Sequence, residues 1–125
     1  MNEHLTDFER RIMFEGATEP PFSGELLHEK RQGDFRCKNC GLILFKSDTK
    51  YDSQTGWPSF TKPADTDSVI SREDLSHGMV RTEVLCATCK AHLGHLFDDG
   101  PRDKTGKRYC INSACLDFRQ TAQDK

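Results

Sequence analysis

A chain of 125 residues with 34% hydrophobic and 30% charged side chains bounds a single domain, able to bury about two thirds of its unfolded surface with little core to spare. Lys and Arg number 18 against 20 Asp and Glu, a formal net charge of -2, so no general field draws a polyanion and a basic nucleic-acid face is disfavoured. No stretch approaches the ~20 apolar residues of a membrane span, and the one internal repeat is a doubled Cys-x-x-Cys.

The first residues, Met1-Asn2-Glu3-His4-Leu5-Thr6-Asp7, lack an apolar signal core and carry acidic groups, which predicts a reduced, cytoplasmic setting. Residues 2–15 read as a short helix, with Thr6 or Asp7 as cap and Leu5, Phe8, Ile12 and Met13 on one side. Residues 16–24 contain the helix-stopping Pro20-Pro21 and read as an extended surface connector. From Phe35 onward, short apolar or alternating runs are cut by Gly, Pro, Asp and Ser: 42–45, 69–71, 80–85, 95–97 and 108–118. That pattern predicts a mainly β, predominantly antiparallel domain with long loops. Ser71-Arg72-Glu73-Asp74 offers a turn of helix, and the polar tail 120–125 reads as frayed. The single domain 1–125 thus divides into a helix and connector over 1–24, a β core over 25–119 and a tail.

Four of the six cysteines form two pairs, Cys37/Cys40 and Cys86/Cys89. Two such knuckles can converge into the closed tetrahedral shell that structural zinc prefers, giving one ion per chain. A redox Cys-x-x-Cys opens a helix after a buried strand, whereas Cys37 and Cys40 lead through Gly41 into the strand-like run Leu42-Ile43-Leu44-Phe45.

Chemistry concentrates in three further places. In Arg108-Tyr109-Cys110-Ile111-Asn112, strand alternation puts Arg108, Cys110 and Asn112 on one face. A guanidinium beside a cysteine favours the nucleophilic thiolate, and the Asn112 amide can donate to a polar substrate group. Taken alone, the same stretch also describes a buried, inert cysteine. Next, His92 and His95 follow the second knuckle and offer groups that titrate near neutrality; as alternatives they are metal ligands with Cys86 and Cys89, or purely structural. Finally, Gly56-Trp57-Pro58-Ser59-Phe60 puts the only tryptophan on a constrained turn, as an apolar pocket wall or as an ordinary core ring. Together these residues suggest attack on an electrophilic atom carrying a small apolar substituent.

Thr18-Glu19-Pro20-Pro21-Phe22-Ser23-Gly24, the two knuckles, Gly56-Trp57-Pro58-Ser59-Phe60, Arg81-Thr82-Glu83-Val84, His92-Leu93-Gly94-His95-Leu96-Phe97-x-Asp99-Gly100-Pro101 and Arg108-Tyr109-Cys110-Ile111-Asn112-Ser113-Ala114 occur in one order. In this the chain resembles the methionine-R-sulfoxide reductases of the B type. The resemblance implies a zinc-stapled antiparallel β fold, tent-like or a distorted barrel. It implies that Cys110 attacks the sulfur of methionine sulfoxide in peptides or proteins and becomes a sulfenic acid. By the same resemblance Trp57 receives the methyl group, and His95, with His92 and Asn112, orients and helps protonate the oxygen. Arg108 would stabilise the thiolate, Phe97 would shape the pocket, and Asp99 would orient a histidine.

Many relatives carry a resolving cysteine where this chain has Thr55, which leaves Cys110 to be reduced by thioredoxin or a small thiol. If the segment stays extended, Cys115 lies about 16 Å from Cys110, beyond the roughly 7 Å a disulfide tolerates, and reads as a small core residue. A monomer is the default. The reading from another class is a non-catalytic zinc module that uses the Trp57 pocket to bind a ligand or peptide; it has no use for Cys110, His95 and Asn112 together.

Overall fold

A computed structural model describes residues 5–75 and 78–121. Helix α1 spans Asp7–Glu15. It is closed at its start by a capping box in which the Thr6 hydroxyl accepts from the Glu9 N–H and the Glu9 carboxylate accepts from the Thr6 N–H. Gly16 closes it at φ 73°, a left-handed conformation that costs glycine little. The helix is therefore shorter than expected. Leu5 precedes it, Phe8 is 43% exposed rather than packed, and residues 2–4 lie outside the described residues. Ile12 and Met13 are buried.

Among the described residues nine strands follow: β1 (Gly33–Cys37), β2 (Ile43–Lys46), β3 (Lys50–Tyr51), β4 (Ser59–Phe60), β5 (Val69–Asp74), β6 (Arg81–Cys86), β7 (His92–Phe97), β8 (Arg108–Ile111) and β9 (Leu116–Gln120). They form a three-stranded sheet, β2-β1-β9, and a six-stranded sheet, β3-β4-β8-β7-β6-β5, with every neighbouring pair antiparallel. The fold is mainly β, as expected. The core lies between the sheets. Phe35 and Phe45 of the small sheet meet Phe60 of the large one at ring centroid separations of 5.1 and 4.4 Å, and all three rings are fully buried. Burying each contributes on the order of 2 kcal/mol relative to leaving it in water.

Two expectations need correction. Ser71 to Asp74 is not a helical turn. It continues β5, paired residue for residue with β6 as far as Asp74 opposite Arg81, because the ladder bonds outweigh a weak local helix signal. Nor is 108–118 one strand: β8 ends at Ile111, a 3-10 turn follows over Ser113–Cys115, and β9 leaves for the other sheet. The distance argument that kept Cys115 from Cys110 therefore falls. What sets Cys115 apart is burial: it is wholly enclosed, its Sγ donates to the His92 carbonyl at 3.3 Å, and burial pushes its thiol well up. No helix among the described residues is long and apolar enough to cross a membrane.

Candidate active site and metal centre

The two knuckles are near copies. The Gly41 N–H bonds to the Cys37 carbonyl at 2.8 Å, and the Lys90 N–H bonds to the Cys86 carbonyl at 2.9 Å. Gly41 and Lys90 both have positive φ, 87° and 66°, which the turn imposes even on a lysine. One knuckle ends the β1–β2 hairpin of the small sheet and the other the β6–β7 hairpin of the large sheet. The sulfurs of Cys37, Cys40, Cys86 and Cys89 come within 4.8 Å of one another. The Cys37–Cys89 and Cys40–Cys86 separations of 3.7 and 3.5 Å are far longer than a disulfide bond. They match the edges of a tetrahedron of sulfurs about 2.3 Å from a central ion. The four residues fit a metal ion, and such an ion would tie the two sheets together. The histidines are not part of this set.

One row of cross-strand partners runs across the large sheet through Tyr51, Ser59, Cys110, His95, Glu83 and Arg72. Directly paired residues on an antiparallel sheet point to the same face, so the ladder itself places the thiol beside an imidazole and that imidazole beside a carboxylate. Above this row is a cavity of about 200 Å³. Trp57, His95, Phe97, Arg108, Cys110 and Asn112 line it, Arg108 and Cys110 from the one face that strand alternation in β8 gives them. Thr18, Thr55, Gly94 and Arg81 complete the wall. Sequence reasoning had not singled these out as site residues.

Burial pushes the Cys110 thiol up, and the charge and hydrogen bond of Arg108 together with a hydrogen bond from Thr55 oppose that rise. The guanidinium thus limits a shift that desolvation dominates. Arg108 is itself held by Asp99 in a bidentate pair, Nε to Oδ1 at 2.8 Å and Nη2 to Oδ2 at 3.2 Å, and lies 4.3 Å over the Phe97 ring. Asp99 consequently orients the arginine and not a histidine. The carboxylates that hold the histidines are others. His95 Nε2 is 2.8 Å from Asp74 Oδ2, and Arg81 Nη2 reaches the same oxygen at 3.4 Å. A carboxylate only accepts, so Nε2 carries the proton and Nδ1 is left as the ring's other polar atom.

His92 does not line the cavity. Its Nδ1 bonds Glu83 Oε2 at 2.7 Å, its Nε2 is buried without a partner, and burial lowers its pKa against the opposing pull of Glu83. The rings of His92 and His95 meet edge-on at 5.4 Å, so His92 reaches the site only through His95 and Glu83. Asn112, 3% exposed, accepts from the Glu19 N–H through Oδ1 and donates to the Leu93 carbonyl through Nδ2, each at 3.0 Å. One amide hydrogen remains for the cavity.

The fold and site define a class: a small antiparallel β domain with a four-cysteine metal centre, presenting one separate thiol in an aromatic-walled polar pocket. The chain belongs to the SelR domain family, which matches residues 5–120. It is 56% identical over 112 residues to the "Peptide methionine sulfoxide reductase MsrB" of Bradyrhizobium diazoefficiens, covering 90% of this chain and 80% of that protein. It is 48% identical to the protein of the same name from Burkholderia pseudomallei, covering 100% of this chain and 87% of the relative. Among solved structures, the "Yippee-like" domain of Mis18 superposes with a TM-score of 0.59 at 19% identity, covering 74% of this chain and 100% of that one; this likeness speaks for the fold alone.

Proposed function

We propose that this protein reduces the R epimer of methionine sulfoxide in peptides and proteins to methionine, repairing oxidative damage, with Cys110 as nucleophile. The observation that carries the reading is Cys110 in the floor of a cavity shared with Trp57, His95 and Arg108, in a chain that matches the SelR domain over residues 5–120.

The net step moves one oxygen. Cysteine thiol and sulfoxide become sulfenic acid and thioether, the cysteine sulfur losing two electrons and the sulfoxide sulfur gaining them. The Cys110 thiolate attacks the sulfoxide sulfur while the methyl group rests on the Trp57 ring, and the oxygen takes up two protons and leaves as water. Water then adds to the cysteine sulfur as the S–S bond breaks, giving sulfenic acid and methionine and returning one proton; pocket shape around the ring selects the epimer. His95, its Nε2–H held by Asp74, takes up a proton from solvent at Nδ1 and delivers it to the departing oxygen directly or through water, and the free Asn112 N–H helps hold that oxygen. Arg108, fixed by Asp99 and Phe97, stabilises the thiolate. Zinc, held by Cys37, Cys40, Cys86 and Cys89, supplies structure and no chemistry at the thiol.

Two equivalents of thiol then return the sulfenic acid to thiol, releasing water and a disulfide. Thr55 faces Cys110 and Cys115 is wholly buried, so an external thiol, thioredoxin or a small molecule, does this directly. No two cysteines are joined by a disulfide, which suits a reducing, cytoplasmic setting.

The test is a chiral assay of racemic peptidyl methionine sulfoxide with dithiothreitol, following each epimer, with Cys110→Ser alongside. Loss of the R epimer alone, abolished by the substitution, supports the reading. Folded, metal-loaded protein that consumes neither epimer sinks it.

A further inference from the structure

Behind the cavity wall at Thr55 runs a chain of hydroxyls to which the proposed mechanism gives no task. Thr55 lines the cavity beside Cys110, and its Oγ1 is 2.8 Å from Ser53 Oγ. Ser53 Oγ is 2.7 Å from Ser59 Oγ, and Ser59 Oγ is 3.2 Å from the Trp57 carbonyl oxygen. Ser59 is fully buried and is the direct cross-strand partner of Cys110, so the chain of hydroxyls leaves the thiol at Thr55 and returns beside it on the neighbouring strand.

Each hydroxyl has one proton to donate, which leaves two consistent arrangements. In the first, Ser59 donates to the Trp57 carbonyl, Ser53 to Ser59 and Thr55 to Ser53. Thr55 Oγ1 then presents only lone pairs to the sulfur, which suits a thiol that donates. In the second, every rotor turns: Ser59 donates to Ser53, Ser53 to Thr55, and Thr55 to the sulfur, which suits a thiolate that only accepts. The reversal gives up only the Ser59 bond to the Trp57 carbonyl, the longest of the three links. Because the hydroxyls polarise one another in series, the donor reaching the sulfur is stronger than an isolated threonine would be.

Resting on Cys110 as nucleophile, we infer that Thr55 is a catalytic residue whose hydroxyl accepts from the Cys110 thiol and, after concerted reversal of the Ser53–Ser59 chain, donates to the thiolate. The chain passes no net proton; the thiol proton leaves to water in the cavity. The other groups that bear on Cys110 are Arg108 on its own strand, His95 across from it on β7, Tyr51 on β3, Glu19 from the connector and Arg81 in the cavity wall. Substitutions at Thr55 leave all of these in place.

The experiment is the pH dependence of Cys110 alkylation by iodoacetamide in the metal-loaded protein, resolved by peptide mass spectrometry, for wild type, Thr55→Val, Thr55→Ser and Ser53→Ala. Valine keeps the shape and removes the donor, so the Cys110 profile moves up by about one pH unit, or roughly tenfold slower alkylation on its acidic limb. Serine restores the profile to within about twofold, and Ser53→Ala, which reaches the chain from outside the cavity, gives an intermediate shift. An unmoved profile in Thr55→Val, or a Thr55→Ser profile as displaced as that of valine, overturns the inference. Should Thr55→Val not fold, an unmoved Ser53→Ala profile overturns it alone. Alkylation needs no sulfoxide, so this outcome is independent of whether the protein turns over its substrate.

Discussion

The indole Nε1 of Trp57 donates to the backbone carbonyl of Glu19 at 3.0 Å, and through that one residue the aromatic wall of the pocket is tied to the strand that bears its thiol. The Glu19 N–H reaches Asn112, and the Glu19 carboxylate accepts from the backbone N–H groups of Ser113 and Ala114 at 2.8 Å each. Glu19 is 2% exposed and burial raises its pKa, with the two backbone donors opposing the rise.

Glu19→Ala is therefore expected to strand two backbone N–H groups and loosen both Trp57 and the turn after Cys110. The loss of stability is about 2–4 kcal/mol, read by urea unfolding with the linear slope unchanged. Stability equal to wild type would mean that the carboxylate contributes nothing net.

Gly94 gives a sharper test of how Cys110 is placed. A Cβ built there would lie 1.9 Å from the Cys110 carbonyl oxygen, and Gly94 pairs with Ile111 in the ladder. No flexible side chain can yield, so Gly94→Ala must push β7 and β8 apart. The expected result is a loss of more than ~2 kcal/mol and, because catalysis is sensitive to displacements near 1 Å, a fall in kcat/KM on the order of a hundredfold. A variant with normal melting temperature and normal turnover would contradict the close approach.

These two residues also mark what the sequence could and could not disclose. The knuckles were legible because ligand spacing is local, and Cys110, Trp57 and His95 because each stands in a short run whose chemistry is distinctive. Glu19 was hidden inside a proline-rich connector, where nothing in the local pattern says that its carboxylate caps a turn more than ninety residues away. Asp74 was hidden by a run that reads as helix when its partner strand is not in view; only the pairing with β6 carries it to His95. Asp99 was assigned to a histidine because both kinds of group stand in one motif, whereas the guanidinium of Arg108 offers two parallel donors. The strand β4 has two residues, too few for any alternation to register, yet it sets Ser59 beside Cys110.

The four-cysteine centre joins hairpins from different sheets, so its loss should act on the whole fold. The hydrogen bond with Cys37 pushes the Cys86 thiol down, while burial pushes that of Cys40 up. Cys86→Ser is expected to abolish stoichiometric zinc, measured by plasma emission spectroscopy, and to lower the melting temperature by more than 10 °C, on the order of several kcal/mol. Retention of one zinc per chain would point to ligands other than these four.

The last prediction concerns acid. His92 is 5% exposed, its Nδ1 is engaged by Glu83, and its Nε2 faces no acceptor, so protonation would bury an unpaired N–H together with a charge. Burial accordingly depresses its pKa below the ordinary 6.5, against the pull of Glu83. With the folded value depressed, the unfolded chain takes up this proton first as the pH falls. The stabilising contribution is thus complete above about pH 6.5 and is lost as the pH falls from there through the depressed folded-state value. In His92→Asn the amide nitrogen can keep the bond to Glu83 but does not titrate. Unfolding free energy measured in urea from pH 7.5 to 5 should therefore fall more steeply for wild type than for His92→Asn. Parallel curves would assign the acid sensitivity to other groups and leave His92 without a part in it.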